Sequence, residues 1–317
     1  MALCTHSPFN PSKDIPDLSG KAIIVTGGNN GLGKESILQL SKHNPSKIYL
    51  CARSSSKANL AIKSIKSTVP NANIIFLELD LASLASVKTA AETFLAENTR
   101  LDILINNAGI MAVPPGLTSD GYEIQFGTNY LGHALFTSLL LPLLLTTSSA
   151  PNTDVRIVNV SSIGVRLAPK AGLILSDVKS EMNSCSTWEL YGQSKLANVL
   201  FTKGLAARYP GIKSVAVHPG GVDTGLARGI EESYGKVGKV GVWATRWLMQ
   251  DVSKGVVNQL WAAVGKSEDV VNGTFYFPVA KVHTGSEVVR DEGLVDFLWE
   301  WTEKEFKERG FEGVLLE

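Results

Sequence analysis

Tyr191 and Lys195 lie four residues apart at the start of a run whose composition is typical of a helix. Residues at this spacing share one face of a helix, so the phenol and the ammonium can point the same way. An ammonium stabilises a nearby phenolate and lowers the pKa of a tyrosine, which is ordinarily about 10. Such a tyrosine could serve as an acid or base at neutral pH. The pair alone is common in ordinary helices, so its meaning depends on the rest of the chain.

A glycine-rich turn is the second feature that could do chemistry. A short β-branched run, 21–26, leads into Gly27-Gly28-Asn29-Asn30-Gly31-Leu32-Gly33, and 34–42 then has the pattern of a helix. This order places backbone N–H groups and a helix N-terminus against a phosphate. The glycines let the chain turn sharply and let a ligand approach the backbone. The sequence therefore predicts a dinucleotide site.

Arg53 follows the next predicted strand, 47–52, about 20 residues after the glycines. A site that prefers NAD usually has an acidic residue there to hold the ribose hydroxyls, whereas this chain has Arg53 followed by three serines. A guanidinium with neighbouring hydroxyls suits a 2′-phosphate. An exposed loop arginine is the alternative. The missing acid favours NADP(H) over NAD(H).

Alternating strands and helices predict the fold class. Besides the two strands above, five more are predicted at 73–77, 101–105, 155–160, 213–217 and 274–277, with helices notably at 83–97, 120–145 and 188–209. This alternation predicts an α/β fold, a single doubly wound Rossmann domain whose seven-stranded parallel sheet is flanked by helices. We take 1–17 as an N-terminal extension and 18–317 as the domain.

Polar clusters follow four of these strands. Ligands of such sheets bind beyond the carboxyl ends of the strands. The clusters begin at Asp80, Asn106, Ser161 and His218. Any one of them could be ordinary turn chemistry, but four at one edge predict a shared site.

Composition excludes several other classes. Lys plus Arg and Asp plus Glu both number 30, a balance that gives no sign of a nucleic-acid partner. Three cysteines without metal-ligand spacing predict neither disulfides nor zinc, and favour a reducing, cytoplasmic location. The apolar stretch within 124–153 could suggest a membrane span, but its dense part is short. A buried helix is the preferred interpretation, so no integral membrane segment is predicted.

Taken together, these motifs resemble the short-chain dehydrogenase/reductase family over about residues 18–280. The matching motifs are the TGxxxGxG turn from Thr26, Asp80, Asn106 to Gly109, Asn129, Ser161-Ser162, Tyr191 to Lys195, and Pro219-Gly220 with Thr224. Within the family, the chain is most similar to retinol-dehydrogenase-like and WW-domain-oxidoreductase-like members.

The resemblance implies a catalytic set of Asn129, Ser162, Tyr191 and Lys195. Tyr191 would be the acid/base, Lys195 would lower its pKa and bind the nicotinamide ribose, Ser162 would bind the substrate oxygen, and Asn129 would hold a water of a proton relay. The implied NADP(H) site comprises Gly27, Asn29, Asn30, Gly31, Leu32, Gly33, Arg53, Asp80, Leu81, Asn107, Ala108, Gly109, Asn129, Tyr191, Lys195, Pro219, Gly220, Val222 and Thr224.

One departure from the family pattern concerns the pocket. Ser162 and Tyr191 are 29 positions apart, farther than in compact members, so 163–190 is expected to shape the pocket entrance. The resemblance also implies that about 223–250 is a segment that covers the substrate. Trp243 and Trp247 lie in it and could meet a lipophilic substrate, or simply pack against the body.

The expected activity is hydride transfer between NADP(H) and a carbonyl or alcohol of a small lipophilic molecule. Two alternatives remain open at this point: a non-catalytic sensor or scaffold, and an epimerase or dehydratase that uses the cofactor transiently. The latter relatives usually have TGxxGxxG, tighter than the spacing of Gly27, Gly31 and Gly33. By analogy with relatives, a homodimer or homotetramer could form through the helices that contain Asn129 and Tyr191.

Overall fold

A computed structural model describes residues 9–222, 229–230, 232–235 and 250–311. Within these residues the chain forms one sheet of eight strands in the order β3-β2-β1-β4-β5-β6-β7-β8. Its strands are β1 (Ala22–Thr26), β2 (Lys47–Ala52), β3 (Ile74–Glu78), β4 (Ile103–Asn106), β5 (Arg156–Val160), β6 (Lys213–Val217), β7 (Phe275–Phe277) and β8 (Lys281–Val282). Neighbours pair in parallel from β3 to β7, which confirms the doubly wound α/β class.

The predicted count of seven strands was one too low. All seven predicted strands are present, each within two residues of its expected bounds. The eighth, β8, returns antiparallel to β7, with Tyr276 opposite Val282 and Phe277 opposite Lys281. Two exposed residues are too few to show an alternating pattern in a sequence.

The helices cover both faces of the sheet. They are α1 (Pro11–Asp14), α2 (Gly31–Ser41), α3 (Ser55–Lys66), α4 (Leu84–Glu97), α5 (Ile124–Ser148), α6 (Thr187–Arg208), α7 (Val252–Gly255), α8 (Val257–Val264), α9 (Glu287–Arg290) and α10 (Glu292–Glu308). One hydrophobic core contains side chains of α4, α5, α6 and α10, and the other contains those of α2, α3 and α8. Ile15, near the end of the predicted N-terminal extension, and Leu18, the first residue of the predicted domain, are buried in the second core.

Helix α5 contains most of the apolar stretch within 124–153. By length and composition it could cross a membrane, but 67% of its most apolar window is buried inside the fold. Leu135, Leu140 and Leu144 are fully buried in the first core. The structure thus agrees with the interpretation of this stretch as a core helix.

Helix α10 packs across the outer surface of α5 and α6. The Trp299 ring stacks on Phe201 with centroids 5.8 Å apart, and the Tyr130 hydroxyl lies 2.5 Å from that of Thr302. A Cβ on Gly204 would approach the Trp299 ring to 2.7 Å, so the close contact depends on a glycine at this position of α6. The chain therefore covers this surface of the two helices with its own C-terminal helix.

Candidate active site

The glycine turn joins β1 to α2 as predicted. Gly27 and Gly31 adopt positive φ values of 67° and 49°, where residues with a Cβ are disfavoured. A Cβ on Gly33 would collide with the Gly27 carbonyl oxygen, so the start of the turn packs closely against the first turn of α2. Among the described residues, the Asn30 side chain makes no capping bond to α2. The first N–H groups of this helix can therefore meet an anion, and the turn fits the pyrophosphate of a dinucleotide.

The turn after β4 is tied to the end of β1. The Thr26 hydroxyl oxygen accepts hydrogen bonds from the N–H groups of Asn107 at 2.9 Å and Ala108 at 3.0 Å. The Asn107 side-chain amide donates to the Thr26 carbonyl at 2.8 Å. A Cβ on Gly27 would lie 3.0 Å from the Ala108 Cα. These contacts bring the two predicted cofactor segments together.

Arg53 begins the loop between β2 and α3. Its side chain is exposed, and the N–H of Gly28 donates to the carbonyl of Cys51 at 3.2 Å, two residues earlier. Ser54 caps α3 by accepting from the N–H of Lys57. Arg53 is therefore held at the edge of the glycine turn with its guanidinium in solvent.

The remaining predicted cofactor residues have defined surroundings. The Asp80 carboxylate accepts from the N–H of Ala82 at 3.0 Å, and a Cβ on Gly132 would collide with the Leu81 carbonyl, so β3 ends against α5. After β6, a Cβ on Gly255 would touch both Val222 and Leu32, so Val222 lies near the glycine turn. Pro219 and Gly220 are half-buried in the same segment, and Thr224 lies outside the described residues.

Helix α6 presents Tyr191 and Lys195 toward the end of β5. A capping box between Ser186 and Glu189 fixes where the helix starts, so Tyr191 falls in its second turn. The Lys195 ammonium donates to the Val160 carbonyl at 2.9 Å and lies 5.8 Å from the centroid of the Tyr191 ring. The Ser161 hydroxyl also donates to the Lys195 carbonyl at 2.8 Å, which ties the helix to the strand end.

Ser162 and Asn129 complete the predicted catalytic set. Ser162 hydrogen-bonds Tyr191 and accepts from the N–H of Gly164 at 3.0 Å. A Cβ on Gly109 would lie 3.2 Å from Asn129 Oδ1 and 3.3 Å from Lys195 Nζ. The structure therefore brings all four residues together beside the turn after β4.

The Asn129 side chain is held by three hydrogen bonds. Its Oδ1 accepts from the N–H of Ile110 at 2.8 Å, and its Nδ2 donates to the Ile110 carbonyl and to the Ser194 hydroxyl, both at 2.9 Å. Residues Gly127–Leu131 around it form a π turn within α5, a feature often found at functional sites. The sequence did not predict this turn.

Burial dominates the titration of the central pair. It raises the pKa of Tyr191 to about 12, and the hydrogen bond from Ser162 opposes this only in part. Burial also lowers the pKa of Lys195 to about 8. The lowered Tyr191 pKa expected from the Tyr–Lys spacing is thus not observed, because the desolvation of the phenolate is the larger effect.

Gln193, between Tyr191 and Lys195, has a role that the sequence did not reveal. It is fully buried, and its Oε1 accepts from the N–H of Ile174 at 2.7 Å while its Nε2 approaches the Met182 sulfur at 3.8 Å. It thereby fastens the segment 163–186 to α6. The sequence feature that could have indicated this role is a long amide side chain between two small residues, Gly192 and Ser194.

Comparisons with known proteins identify the family of the chain. The family profile described as "short chain dehydrogenase" matches residues 21–235. Short-chain dehydrogenase/reductase drtF of Aspergillus calidoustus is 37% identical, over 93% of this chain and 96% of that protein. Human retinol dehydrogenase 11 is 35% identical, over 89% of this chain and 85% of that protein. Among solved structures, an uncharacterized protein from Mycobacterium paratuberculosis has a TM-score of 0.72 and 28% identity, covering 95% of this chain and 98% of that one.

The chain belongs to the short-chain dehydrogenase/reductase family. Its members are oxidoreductases that use NAD(P) cofactors and interconvert carbonyls and alcohols.

Proposed function

We propose that this protein is an NADP(H)-dependent oxidoreductase that interconverts a carbonyl and an alcohol on a small lipophilic substrate. The observation that carries the proposal is the convergence of Ser162, Tyr191 and Lys195 at the end of β5, next to Asn129. A hydroxyl donor, a titratable phenol and a buried ammonium are the groups that a carbonyl reduction requires besides the hydride.

The protein's own residues handle the proton and the charge on oxygen. The nicotinamide, when bound, supplies or accepts the hydride. In reduction, Ser162 donates a hydrogen bond to the substrate oxygen while Tyr191 transfers its proton to the same atom. A pKa of about 12 keeps Tyr191 protonated at neutral pH, as an acid must be. Lys195 stabilises the phenolate that results, and a water held at Asn129 carries the replacement proton.

The proposed lipophilic substrate is supported by exposed apolar side chains on segments that adjoin Tyr191. Ile163 and Leu167, in the turn that follows Ser162, are 42% and 46% exposed. The Trp188 ring meets the Tyr191 ring edge-on at 6.4 Å. Tyr234, 41% exposed, reaches the start of α6, where its hydroxyl lies 2.8 Å from that of Thr187. Apolar groups left in water beside a polar reaction centre suit an apolar substrate.

The proposed function can be tested with a screen of ketones, aldehydes and alcohols in which the absorbance of NADPH reports each reaction. We expect net consumption of NADPH in proportion to alcohol formed. An epimerase or dehydratase would convert substrate without net consumption. A sensor would bind NADPH without any turnover, although the presence of both Tyr191 and Lys195 argues against it.

Carbonyl reduction is expected to lose rate as the pH rises through about 8. Below that pH Lys195 is charged and can stabilise the Tyr191 phenolate, and above it the ammonium loses its proton because burial has lowered its pKa to about 8. The measurement is kcat across roughly pH 6 to 10, with the Kd of NADPH measured at each pH as the control. A kcat that stays constant throughout would contradict a charged Lys195 in the rate-limiting step.

Because α10 covers α5 and α6, we propose that this surface does not mediate self-association. Any mass above that of the monomer, 34.0 kDa, in light scattering after size exclusion is therefore expected without crosslinks between α6 of two copies. A dimer of about twice the monomer mass, with crosslinks joining α6 of two copies, would contradict the proposal. A homodimer or homotetramer would have to use another surface. We further propose a cytoplasmic location, as three cysteines without metal-ligand spacing suggest.

A further inference from the structure

His133 lies on α5 one turn after Asn129 and is only 3% exposed. Its two ring nitrogens contact different elements of the fold. Nδ1 lies 2.9 Å from the Asn129 carbonyl oxygen, and Nε2 lies 2.9 Å from the Thr26 hydroxyl at the end of β1. The imidazole therefore spans from the backbone of a predicted catalytic residue to the residue that begins the glycine turn.

The surrounding hydrogen bonds determine which ring nitrogen carries the proton. The Thr26 hydroxyl oxygen already accepts from the N–H groups of Asn107 and Ala108. Its own proton can go to His133 Nε2 at 2.9 Å or to the Ile105 carbonyl, which is farther at 3.5 Å. Thr26 therefore donates to Nε2, and the Nδ1–H group donates to the Asn129 carbonyl.

The neutral form of His133 satisfies both contacts at once. Burial lowers the pKa of the imidazole to about 4, and the positive charge of Lys195 acts in the same direction. A protonated ring would present two N–H donors, so the Thr26 hydroxyl could no longer donate to Nε2. At neutral pH the His133 ring is therefore neutral and makes both hydrogen bonds, one with the Thr26 hydroxyl and one with the Asn129 carbonyl.

The position of the Asn129 carbonyl matters because the helix is irregular there. The N–H of Gly132 bonds to the Gly127 carbonyl five residues back, so Asn129 lies in the widened turn. The same residue orients Ser194 and Ile110 through its side chain. A bond from a buried ring fixes this peptide relative to β1, and with it the Asn129 amide beside Lys195.

We infer that His133 is a positioning residue that holds Asn129 in register with the glycine turn through its bonds to the Asn129 carbonyl and the Thr26 hydroxyl. This inference rests on the proposed function, since positioning has a kinetic consequence only in an active enzyme. His133 itself acts through Asn129 and is not placed in contact with substrate or cofactor. Its loss lowers the rate of the proton-coupled step and leaves cofactor binding nearly unchanged.

Two variants separate positioning from simple packing. His133→Phe keeps a ring in the cavity and removes both hydrogen bonds. His133→Asn retains a side-chain N–H near the position of Nδ1 and loses only the Thr26 bond. We expect His133→Phe to lower kcat by about 10- to 100-fold, as small misplacements do, with less than about a threefold change in the Kd of NADPH. His133→Asn should recover part of that loss, because it restores a bond to the Asn129 carbonyl but not the bond to Thr26.

Tyr130→Phe is the matched control, because it removes a buried hydroxyl from the same helix on the side that faces α10. It should leave kcat within about twofold of the wild type once the folded fraction is equal. A His133→Phe enzyme with wild-type kcat would overturn the inference. So would equal losses in the Phe and Asn variants, since packing alone predicts no rescue.

A measurement without turnover keeps the inference distinct from the proposed function. Long-range nitrogen–proton correlation spectra of protein with isotope-labelled histidine report the tautomer of each imidazole. We expect one signal from a neutral ring protonated at Nδ1, which persists to acidic pH and disappears in His133→Asn. A ring protonated at Nε2 would overturn the inference even in an active enzyme. Absence of any carbonyl turnover, with the expected tautomer present, would instead overturn the proposed function.

Discussion

Replacing Tyr191 with phenylalanine is expected to lower kcat for carbonyl reduction by at least about 10³-fold while NADPH still binds. The substitution removes one oxygen atom, and that oxygen is the proposed proton donor to the substrate. The ring stays in place against Gly164, where a Cβ would lie 2.7 Å from the Tyr191 Cε1, so the shape of the site is retained. Ser162 loses one hydrogen-bond partner but keeps its bond with the N–H of Gly164.

Steady-state rates and fluorescence titration with NADPH measure the two effects separately. Tyr130→Phe is again the matched control, since it also removes a buried phenol hydroxyl and is remote from Lys195 in its contacts. A Tyr191→Phe enzyme that retains more than about a tenth of the wild-type kcat would exclude Tyr191 as the general acid. Loss of NADPH binding would point to a role in the shape of the site instead.

The second large effect is expected for Arg53→Asp, which should weaken NADPH binding by about 100-fold and strengthen NADH binding. The wild-type guanidinium is exposed at the edge of the glycine turn, where it can pair with a 2′-phosphate. A carboxylate at the same position repels that phosphate and can accept hydrogen bonds from the two ribose hydroxyls of NADH.

Titrations of both cofactors with both proteins give the change in preference directly. Lys66→Asp is the control, because it makes the same change of charge at the far end of α3, three helical turns away. It should alter neither dissociation constant by more than about twofold, since exposed charges at that distance are screened. Unchanged NADPH affinity in Arg53→Asp would remove Arg53 from the cofactor site and with it the basis for the NADP preference.

The local sequence was sufficient to predict the class of fold. The buried parallel strands are runs of mainly apolar residues, such as Ala22–Thr26, and glycines or polar turns mark their ends. Each predicted cluster follows a strand, and parallel strands end at one edge, so the clusters converge. The strand β8 was missed because it has two residues and pairs with β7 only across a tight turn.

Long-range packing explains what the sequence could not predict in the site. The contact of Trp299 with Phe201 joins residues almost a hundred positions apart, so no local pattern reveals that α10 covers α6. The spacing of Tyr191 and Lys195 predicted a lowered tyrosine pKa, yet the extent of burial, which depends on the whole fold, raises it. His133 lies one turn from Asn129, but its bond to Thr26 depends on how α5 crosses β1.

Transfer of deuterium from NADPH doubly deuterated at the reactive nicotinamide carbon tests the central claim most directly. Product analysed by mass spectrometry should contain one deuterium on the carbon that bears the new hydroxyl, with one NADPH consumed per alcohol formed. The Tyr191→Phe enzyme should form this product at least about 10³-fold more slowly. Alcohol formed without deuterium, or substrate converted without net loss of NADPH, would contradict a hydride-transferring reductase.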